Sequence, residues 1–280
     1  MNNRNIITTS QINQPLGNGL EARLRTVKGL ERFTFFAGSS EGSPITTTYR
    51  TLGMPASSVV NTASFLDGAL LLGIASTSAN DTVAGTGARK ITIYGLDNNW
   101  NPISELINMN GQTKVVSTKQ FLRINQLVVE ETGTLGYNAG DIFVSISLDT
   151  FTAGVPQTIV LSAMLASTAT ILKNISTFGI YSFKAGYKGV LSHGNFYTDA
   201  SSSKTLTFQE YNISPSTLGN RINYTSGPLN LSGNISYDFT GSGTYGEKND
   251  YQLLVKCSNA TSNGTVYYNG FLVDLKEKNF

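Results

Sequence analysis

The chain has 280 residues, of which 40% are hydrophobic and only 14% charged, with a formal net charge of +2. That length allows one large domain or two of ordinary size, with a core that needs neither disulfides nor metals. Its aromatic content argues against a disordered chain, the lack of a run of about 18 apolar residues against a membrane-inserted helix, and the small net charge against specific nucleic-acid or anionic-lipid binding.

Soluble domains average about 25% charged residues. Here Thr, Ser, Asn and Gly take the place of the missing charge. The cores of protein interfaces are depleted in Lys, Glu and Asp in the same way, and hydroxyl-rich all-β surfaces share that composition.

Residues 1–30 are polar and carry Arg4, Arg23, Arg25 and Lys28. They read as an extended N-terminal arm that reaches onto a neighbour, although a frayed terminus has similar composition. The stretch "MNNRNIITTSQINQPLGNG" has no apolar signal-peptide core, so the expectation is a protein made and used without export through the general pathway.

From residue 31 the pattern is one of short strands. The stretch "GTGARK" at 85–90 raises the question of a phosphate loop. Such a loop needs a helix after it, whose N-terminus meets the anion. Here "ITIYG" follows, with Ile91 and Ile93 on one face and Thr92 and Tyr94 on the other. Gly85 and Gly87 therefore read as turn residues chosen for permissive backbone angles. "GLDNNWNP" is a second turn, and "ISELINM" returns with Ile103, Ile107 and Met109 alternating, so residues 82–111 form a β-hairpin. Trp100 lies in the turn, where its indole either stacks on a sugar or folds back onto the hairpin.

"DIFVSISL" places Ile142, Val144, Ile146 and Leu148 on one face, the mark of a half-buried strand. "VLSAMLASTATILKN", residues 160–174, is the one segment with a helical period, weakened by its Thr and Ser. It falls where the boundary between two halves is expected, near 152–170. Further strands follow in "KTLTFQ" (Leu206 and Phe208 inward), "DYQLLVKC" (Tyr251, Leu253, Val255 and Cys257 on one side) and "TVYYNGFLVDL" (Tyr267, Phe271, Val273 and Leu275).

Little in the chain marks chemistry. The single histidine, His193, has no neighbours that identify it as a base. Cys257, the only cysteine, sits in an apolar alternating stretch and reads as a core residue, inert if buried. One Cys and one His do not furnish a tetrahedral zinc site. The calcium candidates "LDNNWN" and "EKND" lack EF-hand spacing. Carboxylates that could pair for glycoside hydrolysis, Glu105, Glu130, Glu131, Glu210 and Glu247, are scattered. Neither a catalytic site, a cofactor nor a metal is expected. Eight Asn-x-Ser/Thr triplets, the first at Asn80, follow from a composition rich in Asn, Ser and Thr.

The order of the turns and strand edges resembles a family of virion structural proteins of tailed, mostly marine phages and large algal DNA viruses. The likeness is carried by Asp81-Thr82 with Gly85 to Arg89, Gly95 to Asp97, Glu105 with Met109-Asn110-Gly111, Phe121 to Asn125, and Asn138 to Ile142. More loosely it includes "IYSFKAGYKGVL", "GEKNDYQLLVKCSN" and "YYNGFLVD", and it spans roughly residues 60–275. The resemblance implies a viral β-sandwich of jelly-roll type without a catalytic role.

The expected architecture is all-β, with less than about a fifth helix. It comprises an arm over 1–30, a sandwich over 31–155 and a jelly-roll-like sandwich over 165–280. The expected role is a minor capsid or decoration protein, located in the virion, that binds major capsid or other virion proteins and forms homo-oligomers. A tail, fibre or spike component that binds host-surface carbohydrate is the alternative.

Overall fold

The computed structural model describes residues 30–38, 45–167, 174–198, 205–213, 221–230, 233–238, 244–257 and 264–274. Among the described residues there are strands and no helix. In chain order the strands are β1 (Leu30–Gly38), β2 (Arg50–Thr51), β3 (Leu70–Ser76), β4 (Ala88–Leu96), β5 (Pro102–Asn108), β6 (Val115–Phe121), β7 (Arg123–Thr132), β8 (Ile142–Ile146), β9 (Phe151–Thr152), β10 (Val155–Pro156), β11 (Ser162–Met164), β12 (Ile180–Ser182), β13 (Tyr187–Thr198), β14 (Thr205–Ile213), β15 (Arg221–Asn230), β16 (Gly233–Asp238), β17 (Thr244–Tyr245), β18 (Asp250–Cys257) and β19 (Gly264–Asp274). The fold is all-β, built from several antiparallel sheets.

The first unit is a sandwich of the sheets β11-β8-β3-β6 and β5-β4-β7. Alternating residues of both sheets meet in one core: Leu72 and Ile74 from β3, Ile91 and Ile93 from β4, Ile107 from β5, Phe121 from β6, Leu127 from β7, and Ile142 and Val144 from β8. The expected hairpin is present, with Ile91 opposite Ile107 and Ile93 opposite Glu105.

Strand β8 departs from the half-buried expectation. Both of its faces are covered, because Phe143 enters a second cluster with Met54, Val160 and Phe178. The strand stops at Ile146, so Leu148, expected inward, lies in the following turn and is 88% exposed. The helical period over 160–174 is not realised in its described part, where Ser162–Met164 pairs with β8. The rest of that segment lies largely outside the described residues.

The second unit holds the sheets β1-β19-β13-β16, with β17 on β13, and β12-β18-β14-β15, with β2 on β18. Phe183 joins them. It stacks on Tyr245 of β17 at 5.3 Å, and Gly189 of β13 has no room for a Cβ against its ring. Strand β18 is buried on both faces, since Gln252 and Leu254 are covered as well as Tyr251, Leu253, Val255 and Cys257.

Strand pairing departs from the expected division at both ends. β1 pairs with β19 along its length and β2 pairs with β18, so both strands belong with the C-terminal sheets. The chain then leaves, builds the first sandwich, and returns at β12. One unit is thus nested inside the other. The outgoing and returning segments touch: Gly179 N–H donates to Leu52 O at 2.7 Å, and Gly38 N–H donates to Thr177 O at 2.9 Å. Gly53, at φ +80°, presses against the Thr177 carbonyl, where a side chain would collide.

Candidate functional site

The motifs singled out from sequence converge on two buried polar centres. The first is the Asp81 carboxylate, which is fully buried. Oδ1 accepts from Ala88 N–H at 2.7 Å and Ala139 N–H at 2.7 Å; Oδ2 accepts from the Ser76 hydroxyl at 2.5 Å and Gly140 N–H at 2.9 Å. An ionised carboxylate offers about four acceptor positions, and here neutral donors occupy four. The Asp81 to Arg89 stretch and the Asn138 to Ile142 stretch, 57 positions apart at their first residues (138 minus 81), are thereby one structural node.

This node gives "GTGARK" its explanation. Gly85 and Gly87, expected as turn residues with permissive backbone angles, are not among the glycines at positive φ. Glycine is required there for space: a Cβ on Gly87 would strike Asp81 Oδ1, and one on Gly85 would strike the Asn80 carbonyl. The two basic residues face no anion site. Arg89 donates from Nε to Gly85 O at 3.0 Å, and Lys90 pairs with Glu131 at 2.7 Å. The hydrogen bond and charge of Lys90 hold the Glu131 carboxyl below its ordinary value.

The second centre joins the two units. Arg123 at the start of β7 meets Asp250 at the start of β18 through a two-pronged ion pair, Nε to Oδ1 at 2.7 Å and Nη2 to Oδ2 at 2.8 Å. Nη1 donates to the carbonyls of Leu66 and Leu122, and the Ser182 hydroxyl donates to Asp250 Oδ1 at 2.6 Å. The guanidinium lies 4.8 Å from the Trp100 ring centre and 5.3 Å from that of Phe65. Two residues along, Asn125 and Ser182 bond reciprocally, Nδ2 to O at 2.9 Å and N–H to Oδ1 at 2.8 Å. Burial is the largest influence on Asp250 and raises its carboxyl above the usual range, against the pull of Arg123 and Ser182.

The remaining sequence candidates are placed as follows. Trp100 is 7% exposed and folded back onto Leu96 and Leu122, so its indole offers no sugar platform. The Glu105 carboxylate accepts from the backbone of Thr118 and Lys119, tying β5 to β6. Asp97 caps its own turn by accepting from Asn99 and Asn101 N–H, Glu247 accepts from Gly186 N–H, and Asp250 is held by Arg123, so the carboxylates of "LDNNWN" and "EKND" are engaged by protein donors. Cys257 is 1% exposed at the end of β18. His193 lies in β13 at a bulge, with its backbone opposite Asn269 and Asp238. Among the described residues no three of His, Cys, Asp and Glu gather as a metal would need, and no helix is long and apolar enough to cross a membrane. Arg4, Arg23, Arg25 and Lys28 lie outside the described residues.

Sequence reasoning missed one spelling. Gly38-Ser39-Ser40-Glu41-Gly42 reads G-x-S-x-G. A nucleophile elbow needs a strand before it and a helix after it. β1 ends at Gly38, and Ser40 with the rest of the motif lies outside the described residues.

No family model and no curated protein matches the chain. Among solved structures, the infectious bursal disease virus VP2 subviral particle aligns over 89% of this chain and 72% of its own, at 9% identity and a TM-score of 0.25. Infectious bursal disease virus of the Gx strain aligns over 90% and 73%, at 11% identity and a TM-score of 0.24. The structural similarity is weak, and a likeness at that level says nothing about what the chain does.

Proposed function

We propose that the chain is a non-enzymatic virion structural protein of minor capsid or decoration type, which works by binding major capsid or other virion proteins and further copies of itself. The observation that carries this reading is the fate of the motifs. The residues that resemble virion proteins are spent on the buried nodes at Asp81 and Arg123–Asp250 and on the β5–β6 tie, which are architecture rather than chemistry. The low charged fraction supports the same reading, since surfaces buried against other subunits are depleted in charge. Within it, Arg4, Arg23, Arg25 and Lys28 serve as an assembly arm that pairs with carboxylates on a partner.

The test is made on purified particles. Mass spectrometry should find the protein at a fixed copy number, and labelled imaging should place it on the shell. Its absence from particles would remove the proposal. Deleting residues 1–28 tests the arm separately: a folded truncated chain should fail to incorporate, and normal incorporation would exclude the arm's role.

A further inference from the structure

Two features of the joint between the units differ in kind. The neck, residues 52–54 going out and 177–179 coming back, is a pair of backbone segments joined by few hydrogen bonds, with glycine at 53 and 179. Beside it lies an apolar patch that includes Leu122, Leu161 and Ile180, which is non-directional and encloses a cleft with space for about one water molecule. Neutral hydrogen bonds also cross the joint, from Thr51 N–H to Asn61 O, Ala63 N–H to Thr51 Oγ1, Gln252 Nε2 to Ala63 O and Ala185 N–H to Trp100 O; none of them is an ion pair.

The Arg123–Asp250 pair adds a constraint of another kind. Each unit contributes one charge. The guanidinium is planar, its fork meets both carboxylate oxygens, its third nitrogen is held by two carbonyls, and aromatic rings lie close to it. A fork of this geometry accepts a carboxylate from only a narrow range of directions. Asn125–Ser182 adds a second directional contact on the same side of the joint.

We propose that Arg123–Asp250 is an orientation lock: it narrows the range of angles at which the inserted unit, β3 to β11, sits on the base formed by β1, β2 and β12 to β19, a range that the neutral contacts beside the neck leave wider. The lock's task is geometric. Replacing a buried ion pair by apolar residues of similar volume is often neutral or stabilising, so stability does not account for keeping a charge pair at the joint. The inference rests on the fold and stands or falls independently of the proposed virion role.

The experiment compares the full-length chain with R123M/D250L and with R123K. The double variant keeps the volume and removes the fork; R123K keeps the charge and replaces the fork by a point charge. Three measurements are made on each: thermal unfolding, small-angle scattering, and hydrogen exchange resolved to the neck. R123M/D250L should unfold cooperatively near the native midpoint. Its neck amides should exchange about tenfold faster, as local opening becomes easier, and its scattering should require a spread of angles between the units. R123K should show the same changes to a smaller degree. Native exchange and native scattering in a folded R123M/D250L or R123K would overturn the lock. Failure of both variants to fold would also overturn it, by showing that the pair is needed to build the fold and not to orient it.

Discussion

Asp81 and Asp250 are both carboxylates without solvent exposure, and the molecule treats them in opposite ways. Asp81 lies inside one unit and is satisfied by three backbone amides and a hydroxyl. Asp250 lies between units and takes a guanidinium from 127 positions away. Within a unit, the sheets already hold loop amides at fixed places, so neutral dipoles can be aimed at a charge without a counter-ion. Across a joint no ladder fixes the amides, and a long side chain with its own charge has to make the reach. A lone buried charge is prohibitive without one solution or the other.

Removing one partner at the joint should break the comparison most violently. Asp250→Ala leaves Arg123 buried without its counter-charge, and urea unfolding should show a loss of about 3–5 kcal/mol. A loss under about 1 kcal/mol would mean that water reaches the pair and the joint is not sealed. At the other carboxylate, Asp81→Asn leaves buried amides facing an NH2 group, and should cost about 2–3 kcal/mol in the same assay. Equal losses at the two sites would erase the distinction drawn between them.

Asp149 sharpens the contrast, because it is another nearly buried carboxylate with neutral partners. Burial raises its carboxyl, but the Ser145 hydroxyl and the Ile159 and Thr158 groups outweigh that and hold it below the ordinary value. A depressed carboxyl contributes stability that is present above its unfolded value of about 3.9 and is lost as pH falls through the lower folded value. The stability gap between the native chain and Asp149→Asn should therefore be widest at neutral pH and close in acid. A gap independent of pH would show that Asp149 acts by packing. Smallest of all is the exposed Lys90–Glu131 pair: Glu131→Gln should leave the unfolding midpoint unchanged in low and high salt, because solvent and ions screen such pairs.

Period-2 alternation revealed the hairpin at 82–111 and β8 in the first unit, and β14, β18 and β19 in the second, because one buried face writes itself directly into the residue pattern. It was silent about the second face of β8, since Phe143 looks like any outward aromatic until the segment around Met54 and Phe178 covers it. The nesting was illegible for a related reason: β1 and β19 are joined by pairing across more than two hundred residues, which no local pattern encodes. Gly85 and Gly87 were read as conformational and turned out to be spatial, a difference that requires knowing where the Asp81 oxygens lie. Arg123 was passed over except as part of a motif, although a signal existed. A guanidinium inside the apolar run "FLRINQLVV" needs a buried partner; which acid supplies it is a matter of topology.

The chain's only tryptophan, Trp100, sits at the joint, packed against Leu122 and facing the Arg123 guanidinium, with its carbonyl accepting from Ala185 N–H. Indole emission depends on the polarity and charge around the ring. All tryptophan fluorescence from this protein therefore arises at the seam between its two units, and it gives an unlabelled optical gauge of whether that seam is closed.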